Sequence, residues 1–258
     1  MIGREKMQRG GSIFVTALLV SCWALTVRAL IETKSFIKVP NATKIPLDAC
    51  FIDSPTVIIG NLVALCGSMC INNDQCEFFC TDETTNRCFL SRAVVSARYT
   101  EATTATVAID ACYSTLKIRD VIRQSANVTA SPSYDSTTAV AKALDGYYCP
   151  DGSTAWEVYL SSQGDNPYYQ IDFLEPIRVI ETRIAFIYPG WASNVQIFLG
   201  NYSVFSQNPT FAYRPGIPST NYFIESFLPS EPMVGRYLTV IAEVSSWFLG
   251  IGEIYVLV

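Results

Sequence analysis

Apolar positions change their period partway along the chain. Leu62, Val63, Cys66, Met69 and Cys70 recur at intervals of three and four, which puts them on one face of a helix ending at the Asn72-Asn73-Asp74 turn. Two cysteines one turn apart on that face can clamp the helix to a neighbouring strand, and Cys88–Leu90 is the natural candidate. From Tyr169 onward the pattern is of another kind. Val179–Ile187 alternates, with Ile180, Thr182, Ile184 and Phe186 on one side. Tyr169–Phe173, Val195–Leu199, Tyr237–Ile241 and Ile254–Val258 are further short β-rich runs, separated by Gly, Pro, Asn and Ser. No long helical period lies between them, so they predict an antiparallel β-sandwich. The fold class expected is mainly β, with a small disulfide-rich α+β domain ahead of the sandwich.

The amino-terminal pattern belongs to neither. Arg4, Lys6 and Arg9 precede an apolar run from Ile13 to Leu25, and Val27-Arg28-Ala29 supplies small residues for cleavage. This is the form of a signal peptide over residues 1–29, with the mature chain starting near Leu30. No second run of about 18 apolar residues follows, so a secreted, extracellular protein without a transmembrane anchor is expected.

Cysteine and charge sharpen that reading. Loss of Cys22 with the signal segment leaves Cys50, Cys66, Cys70, Cys76, Cys80, Cys88, Cys112 and Cys149, an even set that an oxidising compartment should pair into disulfides. Asn41, Asn127 and Asn201 head glycosylation sequons, whereas Asn208 is excluded by Pro209. A structural zinc site is disfavoured, because the cysteine spacings contain no Cys-x2-Cys pair and the chain has no histidine. Residues 1–29 carry four basic and one acidic residue, so the mature chain keeps 14 basic and 22 acidic residues, a net charge of −8. Such a surface repels polyphosphates, and nucleic acid is not an expected partner. Seven of the eight mature cysteines fall between Cys50 and Cys112 and only Cys149 follows Asp120, which divides the chain into domains at 30–117 and 118–258, joined near Lys117–Arg123.

Two stretches resemble known modules. Cys66-x3-Cys70-x5-Cys76, then Phe78-Phe79 and Cys88-Phe89-Leu90, framed by Cys50 and Cys112, resemble a PAN/apple domain over about residues 40–115. That resemblance implies Cys50–Cys112, Cys66–Cys88 and Cys70–Cys76 bridges, and leaves Cys80 and Cys149 over, available to pair across the domain boundary. Residues 118–258 resemble the jelly-roll, galactose-binding-like sandwich of discoidin (coagulation-factor type C) domains and fucolectins. The matching pieces are Ala143-Leu144-Asp145-Gly146, Asn166–Phe173, Asn194–Gly200, Gly235–Val240 and Gly252–Val256.

The second resemblance implies functional positions. In fucolectin-like domains the turn carrying Asp145 and the strand carrying Glu253 come together around calcium, so those two residues are the candidate metal ligands. Lys142 and Tyr147 stand where the family often offers amide oxygens, and a lysine there could supply the cation's charge itself, pairing with Asp145. The loop Tyr188-Pro189-Gly190-Trp191-Ala192-Ser193-Asn194 lies at the end of the sandwich where the family presents ligands, which makes Tyr188, Trp191, Ser193 and Asn194 the candidate ligand-binding residues. Fucolectins hold fucose with one histidine and two arginines. This chain has no histidine, and Trp191 stands where the second arginine is expected, so the usual fucose chemistry is not implied. Trp156 reads as core, while Trp247 and Phe248 suit either role.

Catalytic chemistry is poorly supplied. Histidine is absent, the mature cysteines are expected to be oxidised, and no phosphate-binding loop appears. Asp165 and Asp172 are a carboxylate pair of the kind a glycosidase uses, but any acidic protein offers such pairs. The function expected is therefore non-enzymatic recognition of an extracellular glycan or glycoprotein, as in adhesion or innate recognition. The alternatives are a structural matrix or body-fluid protein without sugar binding and, behind it, a secreted glycosidase.

Overall fold

The computed structural model describes residues 36–39, 44–46, 50–96, 98–99, 106–115, 120, 122, 126–150, 158–164, 166–243 and 248–258. The expected signal peptide, Asn41, Trp156, Asp165 and Trp247 lie outside them. Phe36–Val258 is one compact unit.

The amino-terminal half contains β1 (Ile37–Lys38), β2 (Lys44–Pro46), β3 (Thr56–Val57), α1 (Leu62–Ile71), β4 (Phe78–Asp82), β5 (Arg87–Ser91), β6 (Val94–Val95), β7 (Thr106–Ala108) and β8 (Ala111–Ser114). Five of these strands form an antiparallel sheet in the order β1-β8-β4-β5-β3. Helix α1 starts where the Asn61 side chain accepts the Ala64 N–H at 3.1 Å, and it buries Leu62, Cys66 and Cys70 as the periodicity predicts. Cys66–Cys88 clamps the helix to β5, and Cys70–Cys76 closes the turn that follows it.

The other two bridges correct the pairing implied by the PAN/apple resemblance. Cys80 bonds Cys112, and Cys50 bonds Cys149. Sheet register is the reason: Cys80 on β4 and Cys112 on β8 are direct cross-strand partners, so Cys112 is held beside Cys80 rather than beside Cys50. Cys50 is then left to reach the other half.

That half contains β9 (Asn127–Ala130), β10 (Tyr147–Tyr148), β11 (Tyr159–Leu160), β12 (Tyr168–Val179), β13 (Glu181–Phe186), β14 (Val195–Gly200), β15 (Thr210–Arg214), β16 (Phe223–Phe227), β17 (Met233–Ala242) and β18 (Gly250–Leu257). They build a four-stranded sheet, β11-β18-β13-β16, and a five-stranded sheet, β15-β14-β17-β12-β9, with every pairing antiparallel. Alternate residues of both sheets, among them Ile171, Ile184, Phe186, Ile197, Leu199, Leu238 and Ile254, meet in one buried cluster. Thr182, Ile184 and Phe186 point inward as the alternation predicts, but Ile180 falls in the bend between β12 and β13 and stays 36% exposed.

The halves are joined by more than a linker. β10 leaves the sandwich to pair with β6 of the first half, Tyr147 opposite Val95 and Tyr148 opposite Val94. Cys149 follows immediately with its bond to Cys50. Tyr255 on β18 donates its hydroxyl to the Val94 carbonyl at 3.2 Å.

Candidate functional site

One end of the sandwich gathers aromatic rings from separate loops. The segment from Tyr188 to Trp191 forms a short 3-10 turn, closed by the Trp191 N–H donating to the Tyr188 carbonyl at 3.0 Å. The Tyr188 and Trp191 rings meet edge-on with centroids 4.6 Å apart. On one side Tyr188 contacts Tyr222 at 5.6 Å, with their hydroxyls 3.1 Å apart. On the other, Trp191 faces Phe248 at 6.3 Å, and Phe248 faces Tyr134 at 5.9 Å. The order Tyr134-Phe248-Trp191-Tyr188-Tyr222 is a continuous rail of five rings, of which Tyr134 is 58% exposed and the others half-buried.

The loop is braced from below. Arg214 donates to the Gly216 carbonyl at 2.8 Å and to the Ala192 carbonyl, while its Nε holds Glu225 at 2.8 Å. Trp191 lies against the backbone of Gly250: a Cβ at that position would come within 2.9 Å of the indole, so only glycine lets the ring settle there. Tyr222 also lines a cavity of about 790 Å³ between the two halves, walled by Glu77, Arg92 and Val94 on one side and by Arg183 and Tyr255 on the other.

The expected ligand residues divide accordingly. Tyr188 and Trp191 lie on the rail. Ser193 is a correction: it is only 1% exposed, packed beneath the loop and out of a ligand's reach. Asn194 is half-buried and also serves the loop itself. It sits in the left-handed region at φ 47°, where asparagine is tolerated, its side-chain oxygen accepts the Gly216 N–H at 2.6 Å, and its own N–H donates back at 2.9 Å. Tyr134 and Tyr222 were not among the sequence candidates. Tyr134 lies in a turn-rich stretch and Tyr222 in the bend just before β16, and only the fold brings them to the others. Of the sequons, Asn127 and Asn201 are exposed.

A second cluster lies where the halves meet. The turn carrying Asp145 does come to Glu253: the Gly146 N–H donates to Glu253 Oε2 at 2.6 Å. Gly146 has φ 82°, and a Cβ there would lie 2.6 Å from the Tyr99 nitrogen, so the turn demands glycine. What faces Glu253 is Arg98, from the first half. Arg98 Nη2 donates to Glu253 Oε1 at 3.0 Å and to the Ile254 carbonyl at 2.6 Å. Its Nη1 donates to the Leu144 carbonyl at 3.1 Å, and its Nε to Asp120 Oδ2 at 2.5 Å. Burial, opposed by Arg98, pushes the Glu253 carboxyl well above the usual range. Burial works against the arginine's charge as well, and the facing Glu253 and Asp120 more than offset it, so Arg98 lies above its ordinary value. Calcium at Asp145 and Glu253 does not fit these surroundings, because a guanidinium already stands against the Glu253 carboxylate. Among the described residues no cluster of three or more His, Cys, Asp or Glu is placed to hold a metal.

Of the carboxylate pair suggested for glycoside cleavage, Asp165 lies outside the described residues. Asp172 is held by Arg236 through two hydrogen bonds, of 2.7 and 2.8 Å. Among the described residues no helix is long and apolar enough to cross a membrane.

Comparison with known proteins finds no matching family model and no matching curated protein. Solved structures resemble about half of the chain. One is a fucolectin from striped bass (Morone saxatilis) serum, with 25% identity and a TM-score of 0.47 over 54% of this chain and 48% of that one. The chain thus spans about half the length of that lectin. Another is a carbohydrate-binding module, CBM32-1, from a Clostridium perfringens family 31 glycoside hydrolase, with 16% identity and a TM-score of 0.45 over 55% of this chain and 99% of the module. A third is a Streptococcus pneumoniae fucose-binding module, with 18% identity and a TM-score of 0.43 over 54% and 95% of the two chains.

Proposed function

We propose that this protein is a secreted, non-catalytic recognition protein that binds a glycan, free or carried on a glycoprotein, across the aromatic end of its sandwich. The observation that carries the reading is the five-ring rail from Tyr134 to Tyr222. Pyranose rings have an apolar face of C–H groups and a rim of hydroxyls. Aromatic side chains offer a flat apolar surface at small entropic cost, having only two side-chain torsions each. The Tyr188 and Tyr222 hydroxyls supply polar contacts beside that surface, and the cavity next to Tyr222 has room for a further sugar. Among the described residues, Arg214 beneath the rail is committed to Glu225 and to backbone carbonyls and does not call for an acidic ligand. Four disulfides suit an extracellular setting.

The test is a glycan array probed with the purified mature protein, followed by calorimetric titration of the best glycan against two variants. Tyr134→Ala removes an exposed ring and should weaken binding while leaving the melting temperature unchanged. Trp191→Ala should cost about 2 kcal/mol of binding, roughly 30-fold in Kd, as for a central aromatic anchor. Binding of a demonstrated glycan that is untouched by both variants would overturn the site, and an array without any bound glycan would overturn the function.

A further inference from the structure

The oxygens around Arg98 have the composition of a metal cage. Two are backbone carbonyls, of Leu144 and Ile254, and two are carboxylates, of Glu253 and Asp120. They come from three separate stretches of chain and surround one guanidinium, two of them on Nη2, one on Nη1 and one on Nε. Such a set of hard oxygens suits a divalent ion like calcium. The group they enclose is the guanidinium of Arg98, a residue only 6% exposed. Arginine can occupy it because its fixed fork carries five N–H donors, and four hydrogen bonds are drawn from them here.

We infer that Arg98 is a built-in substitute for a divalent cation: the first half of the molecule supplies, as a side chain, the positive charge that the sandwich's Asp120–Leu144–Glu253 oxygens call for. Two features support this beyond the count of contacts. Glu253 is fully buried, and its second oxygen is committed to the Gly146 N–H, so the turn and the strand are drawn together as they would be around an ion. The donor also arrives from outside the sandwich, 155 residues from Glu253 in sequence, so the charge is brought in by the packing of the two halves. The protein should accordingly need no calcium to fold or to bind, and the cage should become a cation site once Arg98 is removed.

The experiment compares thermal melts of the full mature chain in EDTA and in millimolar calcium, with terbium as a luminescent probe excited through the neighbouring tyrosines. The wild-type melting temperature should be the same in both, with no sensitised terbium emission. Arg98→Lys should behave as wild type in being calcium-insensitive. Arg98→Ala should melt lower in EDTA, gain about 5 °C or more with calcium, and light up terbium, because an ion that binds only the folded form stabilises it. If Arg98→Ala does not fold in EDTA, refolding yield becomes the readout, and recovery with calcium alone supports the inference. A calcium-dependent wild type, or an alanine variant indifferent to calcium in melt, emission or refolding, overturns it. Glycan binding plays no part in these readouts, so they stand apart from the reading of the aromatic rail.

Discussion

The two halves of this molecule are held together by different means. Around α1, the buried cluster consists of Cys66, Cys70, Cys76 and Cys88 interleaved with Ile58, Leu62, Phe79 and Leu90, so half of its members are covalently tied. The sandwich has no disulfide with both ends inside it, and its cluster is built from Ile, Val, Leu, Phe and Tyr of two facing sheets. Size explains the contrast. A small layer of short strands and one helix cannot bury enough apolar surface to offset its chain entropy, and cross-links lower that entropy in the unfolded chain instead. Two broad sheets bury both inner faces and have no such need. The division reverses at one point, where the sandwich's buried Glu253 depends on an arginine from the other half.

That contrast can be broken experimentally. The hardest test is Phe186→Ala, since Phe186 is fully buried and packs against Phe223 and Phe227. It should cost about 3–5 kcal/mol, read by urea unfolding, as for a large-to-small change in a well-packed core. A loss under about 1 kcal/mol would mean that the sandwich is not held by packing. Next comes the double change Cys66→Ala with Cys88→Ala, which should cost about 3 kcal/mol. Hydrogen exchange should then show lost protection in α1, β4 and β5 and none in β14 or β17; equal losses in both halves would erase the distinction. The smallest effect concerns Asp172, on the outer face of the sandwich, whose hydrogen bonds from Arg236 hold its carboxyl below the usual range. A carboxyl with a lowered folded pKa contributes stability that is present above its unfolded pKa of about 3.9 and lost as pH falls through the folded value. Asp172→Asn should therefore be slightly less stable than wild type at pH 7, and the two should converge in acid. A gap that persists to pH 2 would assign the effect to packing rather than charge.

Much of this architecture can be read from sequence, and what cannot is instructive. Val179–Ile187 and the later strands announce themselves because inward and outward positions alternate along a single run. The α1 face is legible for the same local reason. Cysteine pairing is not local: Cys80 and Cys112 are partners because β4 and β8 are neighbours in the sheet, and nothing in the spacing of the cysteines encodes that adjacency. The rail is harder still, since Tyr134 and Tyr222 sit in unrelated turns whose meeting depends on how the sheets end. Ser193 and Asn194 are candidates only through their place in the loop, yet Ser193 is buried and the Asn194 side chain holds the Gly216 backbone. Arg98 gives no warning at all, being one basic residue in the plain stretch Val94–Tyr99.

The bond from Cys50 to Cys149, with β10 pairing to β6 just before it, bears on inheritance and on engineering alike. A gene segment cut in the connection between the halves would release a sandwich with one thiol lacking its partner and a two-residue strand lacking its edge. The amino-terminal piece would carry the matching thiol. Neither product could be traded between proteins as a self-sufficient cassette without further change. A donor that wished to graft this sandwich elsewhere would have to bring Cys50 along or first replace Cys149. The pair is therefore expected to travel through evolution as a single cargo, lost or kept together.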